Sequence, residues 1–124
     1  MAVTVLLADD REIIRRSIRR FLEVESRIRI VAEAESFQFG VERARTHQPQ
    51  VVLIDLHLPF RNRVTARDVK SHLADLRPRL FAISFSIDEE SKVLAESCGA
   101  CRLLDKTLLA HQLIPAILGS FVSA

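Results

Sequence analysis

The sequence predicts an α/β fold in which five parallel strands form a doubly wound sheet with helices on both faces. Short apolar runs alternate with longer amphipathic stretches five times within 124 residues, which is the arrangement of consecutive βα units. The run Val51–Ile54 is entirely aliphatic, as is typical of a central parallel strand covered on both faces. No repeat, linker or low-complexity stretch divides the sequence, so we expect residues 1–124 to form one domain.

Strands and helices alternate in the first half of the chain. The apolar residues of the first helix share one face, and its arginines at positions 15, 16, 19 and 20 lie off that face. Arg29 and Glu33 alternate with apolar residues, which indicates a half-buried edge strand. Ser36 can cap the second helix, and Pro49 ends it. The predicted elements are a strand at Val3–Ala8, a helix at Arg11–Glu25, a strand at Ile28–Ala34, a helix from Ser36 to about Gln48 and a strand at Val51–Ile54.

The second half of the chain repeats this alternation. Thr65 with Asp68 resembles a capping box, Asp88 and Thr107 are residue types that cap helices, and Gly99 is a C-terminal stop. The predicted elements are a helix from Thr65 to about Leu76, a strand at Leu80–Ser84, a helix from Asp88 to Cys98, a strand at Cys101–Leu104 and a helix from Thr107 to about Val122.

The composition excludes several classes of protein. The chain has 18 basic and 16 acidic residues and a net charge of +2, which offers no basic excess for binding nucleic acid. No run of about 18 apolar residues is present, so no membrane span is expected. The first residues show no basic region and no cleavage site, so no secretory signal is expected. Two cysteines cannot form a disulfide framework, so we expect a reducing, cytoplasmic location.

Polar residues stand where several of the predicted strands end. They are Asp9, Asp10, Asp55, Ser84 and Lys106. Ligands of doubly wound sheets bind beyond the carboxyl ends of the strands. Carboxylates with room for water favour Mg²⁺ over zinc, and a metal, a lysine and a hydroxyl together suit phosphoryl transfer to a carboxylate. The alternative is a solvated cluster of salt bridges.

Four segments carry a resemblance to a known family, and together they span most of the chain. They are Leu7-Ala8-Asp9-Asp10, Val51 to Pro59, Ile83-Ser84 and Asp105-Lys106-Thr107. This set resembles the receiver domain of two-component response regulators, most closely those that precede a helix-turn-helix DNA-binding domain. The resemblance implies a flavodoxin-like, three-layer sandwich with strand order 2-1-3-4-5, in which strands 1 and 3 are neighbours and their carboxylates meet.

The resemblance also implies a role for each polar residue. Asp55 is the phosphoacceptor, Lys106 pairs with it and then with the phosphoryl group, and Ser84 hydrogen-bonds a phosphoryl oxygen. The implied ligands of Mg²⁺ are Asp10, Asp55, the backbone carbonyl of His57 and, through water, Asp9. The implied donor is a sensor histidine kinase, a histidine phosphotransfer protein or a small acyl phosphate. Such a domain is a switch that catalyses only its own phosphoryl transfer and hydrolysis.

Three positions depart from the family pattern. Leu103 stands where an aromatic residue is usual, so switching by rotation of a ring is not expected there. Phe85 stands where a small residue is usual, and we expect it to shield the site and to slow both phosphorylation and hydrolysis. The loop Pro59–Arg63 lacks the usual glycines, so a required positive φ would fall on Asn62 or an arginine.

Other motifs have two interpretations. Cys98 and Cys101 have the spacing of a redox pair, but they stand where a helix ends, so two small buried residues are expected. The arginines at positions 15, 16, 19 and 20 form either a solvated face or part of a kinase docking surface. The side chains of the four histidines, at positions 47, 57, 72 and 111, are expected at the surface.

The last predicted helix has no aspartate, glutamate, lysine or arginine from Thr107 to Ala124. Leu109, Leu113, Ala116 and Ile117 can serve the core, but the remaining apolar residues cannot all face inward with them. We expect a homodimer contact, or packing on a further domain, through Leu108, Ile114, Leu118 and Phe121. The alternative is an exposed apolar tail.

Two other functions compete with the phosphorylated switch. A pseudo-receiver would act as an interaction module without phosphorylation. A phosphohydrolase that uses an aspartyl phosphate would need a second aspartate two residues after Asp55, and that position is His57.

Overall fold

The computed structural model describes residues 2–58 and 66–121. Five strands alternate with five helices in these ranges, as predicted. The elements are β1 (Val3–Ala8), α1 (Glu12–Glu23), β2 (Ile28–Ala34), α2 (Phe37–His47), β3 (Val51–Asp55), α3 (Ala66–Leu73), β4 (Arg79–Ser84), α4 (Glu89–Ser97), β5 (Arg102–Asp105) and α5 (Leu109–Gly119). A 3₁₀ turn at Lys106–Leu108 leads into α5. The predictions for Thr65 and for the loop at 59–63 fall on residues outside the described ranges.

The five strands form one parallel sheet in the order β2-β1-β3-β4-β5, which confirms the predicted order. In the register of β1 on β3, Ala8 lies beside Ile54. The residues that follow these two positions, Asp9 and Asp55, therefore come to the same edge of the sheet. β2 is an edge strand, in agreement with its alternating pattern of polar and apolar residues.

Two apolar clusters cover the two faces of the sheet and create three layers. The side chains of β3 show the division, because Val52 and Ile54 pack toward α2, α3 and α4. Val51 and Leu53 pack on the opposite face, toward α1 and α5. Every residue of β3 is buried, which is why its sequence is a continuous aliphatic run rather than an alternating one.

Helix caps confirm two of the predicted helix starts and correct a third. The Ser36 hydroxyl accepts a hydrogen bond from the Phe39 amide (3.1 Å), and Asp88 accepts one from the Ser91 amide (2.8 Å). Thr107 was expected to cap the last helix, and this is wrong. Its amide and its hydroxyl both donate to Asp105, at 2.8 and 2.7 Å, so Asp105 is the capping residue and the chain makes a 3₁₀ turn first.

Two features end helices as the sequence predicts. Gly99 adopts φ +83° directly after the C-cap of α4, a conformation that favours glycine. α2 ends at His47, followed by Gln48 in the left-handed region and by Pro49. α3 is shorter than predicted: it ends at Leu73 rather than near Leu76.

α5 is confirmed as the most apolar helix. Leu109, Leu113, Ala116 and Ile117 are buried in the α1–α5 side of the core. Ile114 and Leu118 pack partly against that core, so less of the helix is exposed than the sequence suggests. Leu108 and Phe121 remain 42% and 38% exposed. Within the described residues, no helix combines the length and the apolar character that crossing a bilayer requires.

Candidate functional site

The side chain of Lys106 lies at the centre of the polar site. It follows β5 and is only 4% exposed. Its ammonium nitrogen is 2.7 Å from Oδ2 of Asp9 and 3.1 Å from Oδ2 of Asp55. A buried ammonium is favourable only beside opposite charge, so the lysine and the two carboxylates stabilise one another in this position.

Asp9 is the most deeply buried acid of the site, with no exposed surface. Its Oδ1 accepts a hydrogen bond from the Arg11 amide at 2.9 Å. Its Oδ2 has the ion pair with Lys106 but no well-aligned hydrogen bond within the part of the chain that the structure describes. Burial raises the pKa of Asp9, although Lys106 and the Arg11 amide counteract part of the effect.

Asp55 ends β3 beside Asp9 and is held by two groups. Its Oδ1 accepts a hydrogen bond from the His57 amide at 3.0 Å, and its Oδ2 faces Lys106. The His57 side chain is exposed, as expected of a residue that contributes backbone atoms. Asp10 is exposed at the mouth of the site.

The three carboxylates fit a divalent cation. One oxygen from each of Asp9, Asp10 and Asp55 lies within 4.8 Å of the other two. The ammonium of Lys106 offsets only part of this negative charge, and Oδ2 of Asp9 has no well-aligned hydrogen bond to any residue that the structure describes. An all-oxygen set with an exposed member that leaves room for water suits Mg²⁺. These residues therefore form a suitable site for the metal that the sequence predicts.

A cavity of about 160 Å³ opens in front of these groups. Its lining comprises Asp10, Arg11, Asp55, His57, Ser84, Phe85, Ser86 and Lys106. Ser84 is buried, and its hydroxyl accepts a hydrogen bond from the Ser86 amide at 3.1 Å. The cavity thus brings a hydroxyl, an ammonium and carboxylates around a space large enough for a phosphoryl group.

Comparisons with known proteins decide the family. Residues 5–118 match the family described as the response regulator receiver domain. The chain belongs to this family. The nitrate/nitrite response regulator NarL of Escherichia coli is 31% identical over 92% of this chain and 52% of its own length. The transcriptional regulatory protein LiaR of Bacillus subtilis is 30% identical over 93% of this chain and 54% of its own.

A solved structure agrees with the assignment as a receiver. The signal receiver domain of NarL from Mycobacterium tuberculosis has a TM-score of 0.83 and 26% identity, covering 96% of this chain and 95% of that one. The present chain spans about half the length of the curated relatives NarL and LiaR. Receivers are phosphoacceptor switches rather than enzymes, and the acidic pocket of Asp9, Asp10 and Asp55 is consistent with a phosphoaccepting aspartate.

The two unusual residues of this receiver have different surroundings. Phe85 is 50% exposed and lines the cavity, and the Lys106 ammonium lies over its ring, 5.0 Å from the centroid. This position is compatible with the predicted shielding. Leu103 is half-buried and packs against the cluster on the α2–α4 face, so a leucine fills the place where an aromatic ring is usual.

The sequence did not reveal two arginines of the site. Arg11 lines the cavity, and its only signal was its position directly after the acidic pair. The sequence pattern groups Arg15 with a solvated or docking face. Its guanidinium instead donates to the backbone carbonyl of Asp9 (2.7 Å) and pairs with Glu33 (3.2 Å), and only 17% of the side chain is exposed. Arg15 therefore anchors the backbone beside the buried carboxylate.

The remaining motifs lie outside the cavity. Cys98 is buried as expected, but Cys101 is exposed, because it precedes β5 at the sheet edge opposite the site. Burial raises the pKa of the Cys98 thiol, and partial desolvation of the sulfur raises that of Cys101, which disfavours redox reactivity. His47, His72 and His111 are exposed. Of the other arginines, Arg19 pairs with Glu33 and Arg16 with Glu12.

Proposed function

We propose that this receiver accepts a phosphoryl group on Asp55 in a magnesium-dependent reaction and thereby works as a switch in a two-component pathway. One observation carries the proposal. The ammonium of Lys106 is buried between the carboxylates of Asp9 and Asp55, at the wall of a cavity that Asp10 and Ser84 also line. This arrangement unites a nucleophilic carboxylate with groups that stabilise a phosphoryl group.

Each group has a defined part in the proposed transfer. An Asp55 oxygen bonds to phosphorus as the bond from phosphorus to the donor breaks, and the product is an acyl phosphate. Lys106, already 3.1 Å from Asp55, offsets charge on the phosphoryl oxygens. The proposed metal ligands are Asp10, Asp55, the backbone carbonyl of His57 and, through water, Asp9. When bound, Mg²⁺ would neutralise further charge on the transferring group.

Ser84 and the residues after it form the proposed switch. Its hydroxyl lines the cavity and can donate to a phosphoryl oxygen while it continues to accept from the Ser86 amide. Ser86 in turn donates to Asp88, the cap of α4 (2.8 Å). A movement of Ser84 toward the phosphoryl group would therefore reach the start of α4. Leu103 packs elsewhere in the core, so this route needs no rotation of an aromatic ring.

The wider setting follows from the family. We propose that residues 1–124 form a single receiver domain that works in the cytoplasm with a sensor histidine kinase or a histidine phosphotransfer protein as donor. Relatives such as LiaR are named transcriptional regulators, so control of transcription is proposed for the pathway, with no nucleic-acid contact by this domain itself. Homodimerisation through the exposed residues of α5 and its flanks is proposed as the output.

Labelling with acetyl phosphate and Mg²⁺ tests the proposal. The wild type should show a slower band on a phosphate-affinity gel, and Asp55→Asn should not. Asp75→Asn is the matched control, because Asp75 is an exposed acid that pairs with Arg45 far from the cavity. EDTA should abolish labelling. If the wild type is not labelled and does not bind beryllofluoride, the domain is instead a pseudo-receiver that acts by binding a partner without phosphorylation.

A further inference from the structure

Arg11 is a cation of the cavity to which the family resemblance assigns no role. It is the N-cap residue of α1, but its side chain forms no capping hydrogen bond. A positive charge at the amino end of a helix is electrostatically unfavourable, so α1 gains no stability from this guanidinium. Arg11 is exposed, and the electrostatics of the helix do not account for its charge.

The guanidinium of Arg11 is held over the ring of Phe85. Its Cζ lies 5.6 Å from the ring centroid, within the range of a cation–π contact. Across the described residues 2–58 and 66–121, its N–H groups form neither an ion pair nor a hydrogen bond. The donors of this arginine thus remain available beside the cavity that the residue lines.

Phe85 brings two cations to the same opening. The ammonium of Lys106 lies 5.0 Å from the ring centroid, close to the corresponding distance for Arg11. Two positive groups around one ring repel each other. An anion bound in the cavity would reduce this repulsion and would accept hydrogen bonds from both side chains.

We propose that Arg11 binds the phosphoryl group directly and that Phe85 is the positioning residue that keeps the guanidinium over the cavity. A guanidinium presents a planar fork of N–H donors that matches two phosphate oxygens. Arg11 would therefore add a second cationic contact to that of Lys106. This inference rests on the proposed phosphorylation of Asp55, and it assigns a binding residue particular to this chain.

Binding of beryllofluoride with Mg²⁺ measures the contact without turnover. Fluorine NMR reports the bound anion directly. Arg11→Gln should weaken the apparent affinity about tenfold, the loss expected for one hydrogen bond between charged groups, and Arg11→Lys should restore part of it. Arg16→Gln removes the same charge from an exposed position on the same helix and should leave the affinity unchanged.

Variants of Phe85 test whether its ring positions the Arg11 guanidinium or only fills apolar volume. Phe85→Trp keeps an aromatic face for the guanidinium and should retain the wild-type affinity, whereas Phe85→Leu keeps only apolar volume and should lose most of the effect of Arg11. When Arg11→Gln is already present, adding Phe85→Leu should reduce the affinity for beryllofluoride only slightly further, because the two residues act together.

The outcomes also separate this inference from the proposed function. If the wild type binds beryllofluoride and is labelled at Asp55, but Arg11→Gln matches Arg16→Gln, the direct contact is wrong and the proposed function stands. If the wild type shows neither binding nor labelling, both fail. Equal affinities of Phe85→Leu and the wild type would remove the positioning role alone.

Discussion

Lys106 lies closer to Asp9 than to the proposed phosphoacceptor, since its ammonium is 2.7 Å from Asp9 and 3.1 Å from Asp55. The lysine therefore neutralises a fully buried carboxylate in the unphosphorylated domain. This structural role is additional to its proposed role in binding the phosphoryl group. Oδ2 of Asp9 has no well-aligned hydrogen bond among the described residues, so this ion pair is its main compensation. The site and the stability of the fold are thus linked through one side chain.

Replacing this lysine should destabilise the domain. Lys106→Met leaves two buried carboxylates without their cation, and loss of one partner of a buried pair costs about 3–5 kcal/mol. Urea unfolding in EDTA, followed by circular dichroism, should show this decrease in the free energy of unfolding. Mg²⁺ should restore more stability to the variant than to the wild type, because the metal supplies the missing positive charge.

Lys92→Met is the matched control for that experiment. Lys92 pairs with Glu89 at 3.5 Å, and both side chains are more than half exposed. Exposed pairs contribute less than about 1 kcal/mol, so this variant should unfold close to the wild type. Equal urea midpoints for Lys106→Met and Lys92→Met would contradict the structural role of Lys106.

Asp9 should make stability fall as pH rises. Burial raises its pKa above the ordinary value of 3.8, so the folded state keeps a proton that the unfolded chain has already lost. The free energy of unfolding therefore decreases between 3.8 and the raised pKa. Asp9→Asn removes this titration, so in EDTA its free energy of unfolding should vary less with pH than that of the wild type.

The pH dependence of stability distinguishes the titration of Asp9 from a general effect of the substitution. Relative to Asp9→Asn, the wild type should gain stability as the pH is lowered toward 3.8, because its folded state takes up a proton before the unfolded chain does. Urea midpoints across this range, in metal-free buffer, provide the measurement. A difference in the free energy of unfolding that stays constant over this range would show that burial does not dominate at Asp9.

Asp88 should make the free energy of unfolding change with pH in the opposite direction to Asp9. Hydrogen bonds from the Ser91 amide and the Ser86 hydroxyl lower its pKa to about 2. Its contribution to stability is therefore present above the ordinary value of 3.8 and is lost as pH falls through about 2. Asp88→Ala should open the first turn of α4, and the Ser91 amide should exchange with deuterium about fivefold faster.

Asp88→Asn provides the comparison for the cap. An asparagine oxygen can still accept from the Ser91 amide, so hydrogen exchange in α4 should stay near the wild-type rate. The acid-dependent part of the stability should nevertheless disappear, because the amide does not titrate. If both variants exchange equally fast, the charge rather than the cap controls the start of α4.

The strands and the main acidic residues could be predicted because both depend on local features, whereas the order of the strands followed from the resemblance to receiver domains. Each strand is a distinct apolar run, and Asp9 and Asp55 directly follow two of them. Competition between neighbouring caps could not be resolved in the same way. Asp105 and Thr107 are both capping residue types, and only the geometry shows that the threonine donates to the aspartate.

Contacts between side chains that are far apart in the chain could not be predicted from the sequence. The pattern of α1 places Arg15 off its apolar face, but it does not indicate what this residue or Arg11 meets. Arg15 reaches the Asp9 carbonyl because α1 packs beside the end of β1. Arg11 meets Phe85, which lies 74 positions away in the sequence. Such pairings depend on how elements are placed in space, which periodicity does not specify.

Self-association should depend on the exposed residues that flank α5. Leu108 is 42% exposed, and Phe121, at the other end of the helix, is 38% exposed under the guanidinium of Arg79. With beryllofluoride and Mg²⁺, sedimentation equilibrium should detect a dimer, and Leu108→Ser should weaken it about tenfold if this residue lies in a packed interface. Val93→Ser, at a 63% exposed position on α4, should leave it unchanged. A monomer at high concentration would exclude the dimer, and a stronger effect of Val93→Ser would place the contact on α4 instead.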